Sequence, residues 1–380
     1  MPQPNLTDEI IKGILNEMGP SEPATKANVA LACRRFLPLG RAALYHSISF
    51  QSDDPDSRDL EYVPAFLPVL TPASEALLDT LADNPRLGDL VRSISLDLLQ
   101  VSRPHAAALI RTLLKNYCKK TEALEVAELA GCRPLDFEDT LEEHGKKLRS
   151  FTAESVVWGP GGFSQALGGM KKLESLTLID SLDKWFSADT AGPRPTFRLK
   201  HLDINHHSLT NDVFDFLTRS SRRSLETLTL PPDLDFTVNL SLFKALRSMQ
   251  YVYSGRSYSK NAQNDLKALA KCPTLQLLEI ADDGSAGGKI TGWEAWDLLG
   301  NLPPAVSHLY VGGLNLLSSY ILKSLQNHAV APTLSFIQLG KIIGGGRKGS
   351  GGVQRTVGEM RQIDQVAEAR GLSVVWAGYE

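Results

Sequence analysis

The chain is poor in the residue patterns that mark metal, redox and membrane proteins. Its four cysteines, Cys33, Cys118, Cys132 and Cys272, include no C-x-x-C pair. That argues against a zinc finger, a RING-type domain and a disulfide scaffold together. No continuous apolar run reaches the length needed to cross a bilayer. The opening "MPQPNLTDEI" has neither a basic n-region nor an apolar h-region, so a cytoplasmic or nuclear location is expected. A formal charge of −3 over 380 residues gives no reason to expect a nucleic-acid or membrane partner. With 42% hydrophobic and 22% charged residues, the composition is that of a soluble globular protein with a large core.

Catalytic signatures are missing as well. There is no G-x-S-x-G, no H-E-x-x-H and no cysteine set for a thioester-forming ligase. His206-His207 has no third ligand at helical spacing and reads as a solvated pair. The turn in "LLEIADDGSAGGKIT" would need glycine where Asp283 stands and a hydroxyl where Ile290 stands to be a phosphate loop. "IIGGGRKGSGG" and "WGPGGFSQALGG" read as flexible glycine-rich loops. Arg347 in the first of these is the one candidate for a catalytic arginine on a loop, as in a GTPase-activating protein. The expectation is a non-catalytic protein without metal or cofactor.

What the chain does have is a period. "LESLTL" at Leu173, "LKHLDI" at Leu199 and "LETLTL" at Leu225 start 26 residues apart. The same L-x-x-L-x-L template finds further copies at Val91, Leu124, Leu148, Leu246, Leu275, Val306, Leu334 and Leu372. Helical patterns lie between them, among them "HAAALIRTLLKNYC" from His105, "NDVFDFLTRS" from Asn211, "SSYILKSLQNHA" from Ser318 and "VGEMRQIDQVAEA" from Val357. Most steps fall in or near the 20 to 29 residue range of leucine-rich repeats. The expected fold is therefore α/β: a leucine-rich-repeat solenoid over residues 90–380, with parallel strands on its concave face and helices on its convex face. Cys272, just before one of these strands, reads as a buried structural thiol.

Residues alternating with the leucines point outward. The early ones are Ser93, Ser95 and Asp97, then Val126 and Glu128, then Ser150, Thr152 and Glu154, then Ser175 and Thr177. His201, Asp203, Asn205, Thr227 and Thr229 follow. Later rungs present Leu277, Glu279, His308, Tyr310, Phe336, Gln338, Val374 and Trp376. The change from hydroxylic to aromatic makes Leu277, His308, Tyr310, Phe336 and Trp376 the candidate patch for an unidentified protein substrate. The alternative is that a loop or the C-terminal tail covers them.

The first fifty residues do not follow the period. "LTDEIIKGILNEM" reads as a helix with Thr7 as N-cap, a second helix covers roughly Ala27 to Phe36, and "LYHSISF" alternates like a strand. So small a unit has more apolar surface than it can bury, so it either binds a partner or docks on the repeats. "NLTDEIIKGILNEM", "VALACRRF" and "LYHSISF" together resemble an F-box over residues 4–50, followed by a connecting helical segment or N-terminal cap at 51–89. The resemblance implies binding to a Skp-type adaptor through Leu6, Ile10, Ile11, Ile14, Leu15, Met18, Val29 and Phe36, and through the adaptor to a cullin. It implies the substrate-recognition subunit of a cullin-RING ubiquitin ligase. Thr7 stands where the family usually has proline, and the linker "GPSEPATKAN" is polar. These departures motivate the alternative, a leucine-rich-repeat interaction scaffold without ligase coupling.

Overall fold

The computed structural model describes residues 8–17, 23–32, 36–52, 70–98, 103–127, 135–156, 158, 161–179, 194–205, 209–230, 239–253, 271–282, 300, 302–311, 318–327, 332–339, 343–344, 353–354 and 357–376. By contacts the chain divides into two compact units, residues 1–173 with 191–196, and residues 174–190 with 197–380.

The first unit opens with three helices, α1 (Asp8–Glu17), α2 (Pro23–Ala32) and α3 (Leu37–Tyr45). α3 packs on both of the others. On α1, Ile11 and Leu15 lie one turn apart on the buried face. The reading above placed one helix from Ala27 to Phe36; α2 instead starts at Pro23 and ends at Ala32, and α3 is an addition. Pro38 sits in the first turn of α3, where a missing N–H breaks no intrahelical bond.

β1 (Ser47–Gln51) follows, where "LYHSISF" alternates like a strand, at the end of the segment that resembles an F-box. It pairs parallel with β2 (Ser93–Asp97), Ser47 opposite Ser93, and so is the first rung of the ladder. Its inward residues Ile48 and Phe50 are buried. α4 (Pro72–Asp83) and α5 (Pro85–Gly88) lie between these strands. Thr71 caps α4 by accepting from the Ser74 N–H. The start of α4 also closes the end of β1: Gln51 N–H donates to Ser74 Oγ at 2.9 Å and Thr71 N–H donates to Gln51 O at 3.0 Å.

β3 (Ala123–Ala127) and β4 (Ser150–Glu154) complete the strands of this unit, each parallel to the one before. α6 (Arg103–Thr112), continued by a π-turn over Leu113–Tyr117, then α7 (Leu135–His144) and α8 (Gly162–Gly169) bury Ala106, Ile110, Leu113, Leu141, Phe163 and Leu167. α8 corrects the expectation of a loop at "WGPGGFSQALGG". Its glycines serve close packing: a Cβ at Gly169 would sit 2.5 Å from the Glu142 Cα on α7, and one at Gly162 would sit 2.5 Å from the Glu138 Cγ. Trp158 fills the adjoining core, edge-on to Phe151 at 6.2 Å and to Phe163 at 4.9 Å.

The register corrects one rung of this unit. Ile94 lies opposite Leu124, so the repeat begins at Thr121, not at Leu124. Thr121 occupies a leucine position and is buried, its hydroxyl donating to Cys118 O at 2.8 Å. A satisfied hydroxyl fits an apolar site here, and the leucine template slipped past it. Val126 is consequently fully buried, and Glu125 faces outward in its place.

The second unit contributes β5 (Ser175–Ile179), β6 (His201–Asn205), β7 (Thr227–Leu230), β8 (Ser248–Tyr253), β9 (Leu277–Asp282), β10 (His308–Val311) and β11 (Phe336–Leu339), paired parallel in chain order. α9 (Asn211–Thr218) is capped by Thr210 and buries Val213, Phe214, Phe216 and Leu217. α10 (Ser318–Gln326) packs on α11 (Val357–Ala369). A short antiparallel ribbon, β12 (Ile343–Gly344) with β13 (Val353–Gln354), precedes α11. The last strand, β14 (Ser373–Trp376), pairs parallel with β11. This is a leucine-rich-repeat type of α/β ladder: Leu173, Leu176 and Leu178, and their counterparts Leu199, Leu202 and Ile204, are at most 1% exposed.

The residue after the first apolar position alternates in charge. It runs Arg92, Glu122, Arg149 in the first unit and Glu174, Lys200, Glu226, Arg247 in the second. Each is tied to its neighbour by backbone bonds, as in Glu226 N–H to Lys200 O at 2.8 Å. Arg149 meets Glu122 at 3.7 Å and Lys200 meets Glu174 at 3.0 Å. Such exposed pairs contribute little singly, but a shifted partner would set like charges opposite one another.

Two outcomes follow from this packing. Gly169→Ala should lower stability in urea unfolding by about 1–3 kcal/mol through overpacking against α7, whereas Gly13→Ala, with nothing within 4 Å of its Cβ, should raise it by up to about 1 kcal/mol. Glu226→Lys should be less stable than Glu226→Gln at low salt, with the gap in melting temperature narrowing near about 0.5 M salt as screening shortens the range of the repulsion.

Candidate functional site

Parallel pairing stacks the outward residues of successive rungs into rows. On β9, β10 and β11 one row is Leu277, His308, Phe336, and the row beside it is Glu279, Tyr310, Gln338. Leu277, Tyr310 and Phe336 are half-buried and His308 is exposed. His308 stacks on Phe336 with ring centroids 5.7 Å apart and 28° between planes. Tyr310 approaches the same ring at 5.3 Å. Four of the five residues expected to form the patch are thus brought together on one face.

Trp376 is not among them. Its position is opposite Leu339, an inward residue, and its indole N–H donates to Asp364 Oδ1 of α11 at 2.9 Å. The adjacent pair Val374-Val375 carries no alternation to fix a frame, so α11 decides it. The helix ends at Gly371 (φ 69°), and Leu372 N–H bonds back to Ala367 O at 2.9 Å. That turn sets Val374 inward and Val375 outward beside Gln338. Val375, 41% exposed, takes the outward position on β14 expected for Trp376.

His308 is held in its orientation. Ser307 Oγ lies 2.9 Å from His308 Nδ1 and 3.3 Å from Gln276 O.

The middle row continues through Gln250, Thr229, Asp203 and Thr177. Asp203 sits half-buried between two threonines, and burial pushes its carboxyl above the usual 3.8. Its strand is anchored by Ser221 Oγ, which accepts from Leu199 N–H at 2.8 Å, and by Ser224 Oγ–H, which donates to Leu199 O at 2.8 Å. Both buried thiols, Cys118 at about 12 and Cys272, are likewise raised by burial.

Of the residues expected to meet an adaptor, Ile11 and Leu15 are 5% and 2% exposed and pack α1 inside the unit. Ile14 is 48% exposed, and Val29 and Phe36 are half-buried. Leu31 on α2, not in the expected set, is 78% exposed. Leu6, Met18 and the side chain of Ile10 lie outside the described residues, as do His206-His207, residues 283–299 and the Arg347 segment. Among the described residues no helix is long and apolar enough to cross a membrane, and no group of three or more His, Cys, Asp or Glu is placed to hold a metal ion.

No protein-family model and no curated protein matches the chain. Among solved structures it is similar to the leucine-rich repeat-containing protein LegL7 from Legionella pneumophila, at 13% identity, covering 74% of this chain and 90% of that one with a TM-score of 0.38. It is also similar to a chain in the Rad7 and Elc1 complex of yeast, at 15% identity, covering 68% and 72% with a TM-score of 0.35.

Asp203→Asn tests the electrostatics of the face. A raised carboxylate pKa means that the native state binds the proton more tightly than the unfolded chain. Its contribution is therefore most favourable below about 3.8 and is lost as pH rises through the raised native value. Thermal unfolding of Asp203→Asn should show a higher melting temperature than wild type at pH 7, and the difference should vanish as pH falls below the unfolded value.

Proposed function

We propose that the protein is a substrate receptor of a Skp-adaptor, cullin-RING type ubiquitin ligase. The N-terminal helices bind the adaptor, and the open sheet face of the second unit captures a protein substrate. The observation that carries this reading is where large apolar residues remain in water. Among the described residues these are Ile14, Leu31, Leu242 and Val375. Two of the four lie on the F-box-like helices, and a third flanks the aromatic patch. Covering an exposed aliphatic side chain is favourable, so these are the positions at which a partner would gain most by docking.

The same helices also support the runner-up, an interaction scaffold without ligase coupling, since Ile11 and Leu15 of the F-box-like motif are used for internal packing. One experiment separates the two. Purified full-length protein should retain a Skp-type adaptor in a pull-down, and Ile14→Asp with Leu31→Asp should weaken retention about tenfold or more, the loss expected when one or two buried aliphatic contacts disappear. The double variant should melt with the wild type because both sites are exposed, whereas Ile11→Ala should cost about 2–5 kcal/mol of stability. Failure of the wild type to retain the adaptor overturns ligase coupling and leaves the scaffold.

A further inference from the structure

The outward face of the second unit's described strands has a one-sided charge. Among the described outward positions of β5 to β11 and β14 there is no lysine or arginine, although the chain has 40 such residues against 43 acidic ones. The acidic residues on this face are Asp203 and Glu279. The cations nearest in register, Lys200 and Arg247, stand in the charge-alternating row, and Lys200 is paired with Glu174 at 3.0 Å. Glu279 lies between Gln250 and Tyr310 in the register. A carboxylate is thus opposite Tyr310, whose ring is tilted against Phe336 at 5.3 Å, with His308 stacked on Phe336 and with Leu277 and Val375 at the margins.

An arrangement of aromatic faces with a neighbouring carboxylate suits a cation carried on an apolar stem. Ring faces attract ammonium and guanidinium groups, and Arg does so most readily. Asp203 is three strands from Glu279, a span of about 14 Å at the spacing of neighbouring strands. That span is the reach of about four extended residues. Burial already penalises the Asp203 carboxylate, and a bound cation would relieve that penalty.

We propose that this face binds a basic protein segment laid across the strands, with one Arg or Lys on Tyr310, Phe336 and Glu279 and a second, about four residues away, at Asp203. The inference rests on the reading of this face as the capture surface and specifies the chemistry of what is captured. Leu277 and Val375 receive apolar residues next to the first cation.

The test is fluorescence anisotropy of labelled twelve-residue probes with the full-length protein. The probes have Arg at two positions four apart and Phe beside the first, in a Gly-Ser background. Versions with Gln or Glu in place of both Arg residues accompany them. The Arg probe should bind and weaken with salt, the Gln probe should bind about fivefold or more weakly, and the Glu probe should not bind. Glu279→Gln and Tyr310→Ala should each weaken the Arg probe about fivefold, a typical loss for a cation–π or charge contact. Glu125→Gln, on the open face of the first unit, should leave it unchanged.

Equal binding of Arg and Gln probes, equal loss in Glu125→Gln, or no binding of any probe overturns the proposal. Sedimentation showing that the face is occupied by a second copy overturns it as well. Adaptor retention is read on the same preparation. Peptide binding without adaptor retention sinks ligase coupling alone, and adaptor retention without peptide binding sinks this inference alone.

Discussion

No rung of this protein can bury its own leucines, and most of what the structure does follows from that constraint. A rung sets three inward apolar groups, two on the strand and one just before it, and only another rung on each side, with a helix or loop above, removes them from water. Each fully buried leucine is worth about 1.5–3 kcal/mol, so stability accrues through nearest-neighbour contacts. The parallel backbone ladder that joins the rungs also aligns their outward residues. The face available to a partner is therefore fixed to within the spacing of strands by residues that a partner never touches.

Within that frame the rungs tolerate substitution when the inward group is satisfied. Thr121 stands in a leucine position because its hydroxyl has a carbonyl to bond. Gly162 and Gly169 stand in a helix because their missing side chains let α8 settle on α7. Alternating charge in the row after the first leucine disfavours pairing of a rung with the next rung but one, which would set like charges side by side.

The outward face divides its chemistry along the chain. Hydroxylic residues occupy the early rungs of the second unit, a half-buried aspartate sits at Asp203, and aromatic rings cluster at His308, Tyr310 and Phe336. Rigid rings stacked on one another lose little freedom on binding. Exposed Ile14 and Leu31 stand apart from this face in sequence and in kind.

Much of this was legible in the sequence. The 26-residue step between "LESLTL", "LKHLDI" and "LETLTL" reports a burial requirement, and burial depends on residue type and spacing alone. The same reasoning picked out Leu277, His308, Tyr310 and Phe336, since strict alternation settles which side of a strand a residue faces. Where alternation is absent it could not: the pair Val374-Val375 is ambiguous, and the turn at Gly371 together with the Trp376–Asp364 bond decided that Val375 faces out. Tertiary packing likewise decided that Ile11 and Leu15 are buried while Ile14 and Leu31 face water, because the packing of α3 on α1 and α2 selects among apolar residues that the sequence presents as equals. Periodicity determines that a ladder exists; only the neighbours of each rung determine which side chains are left for a partner.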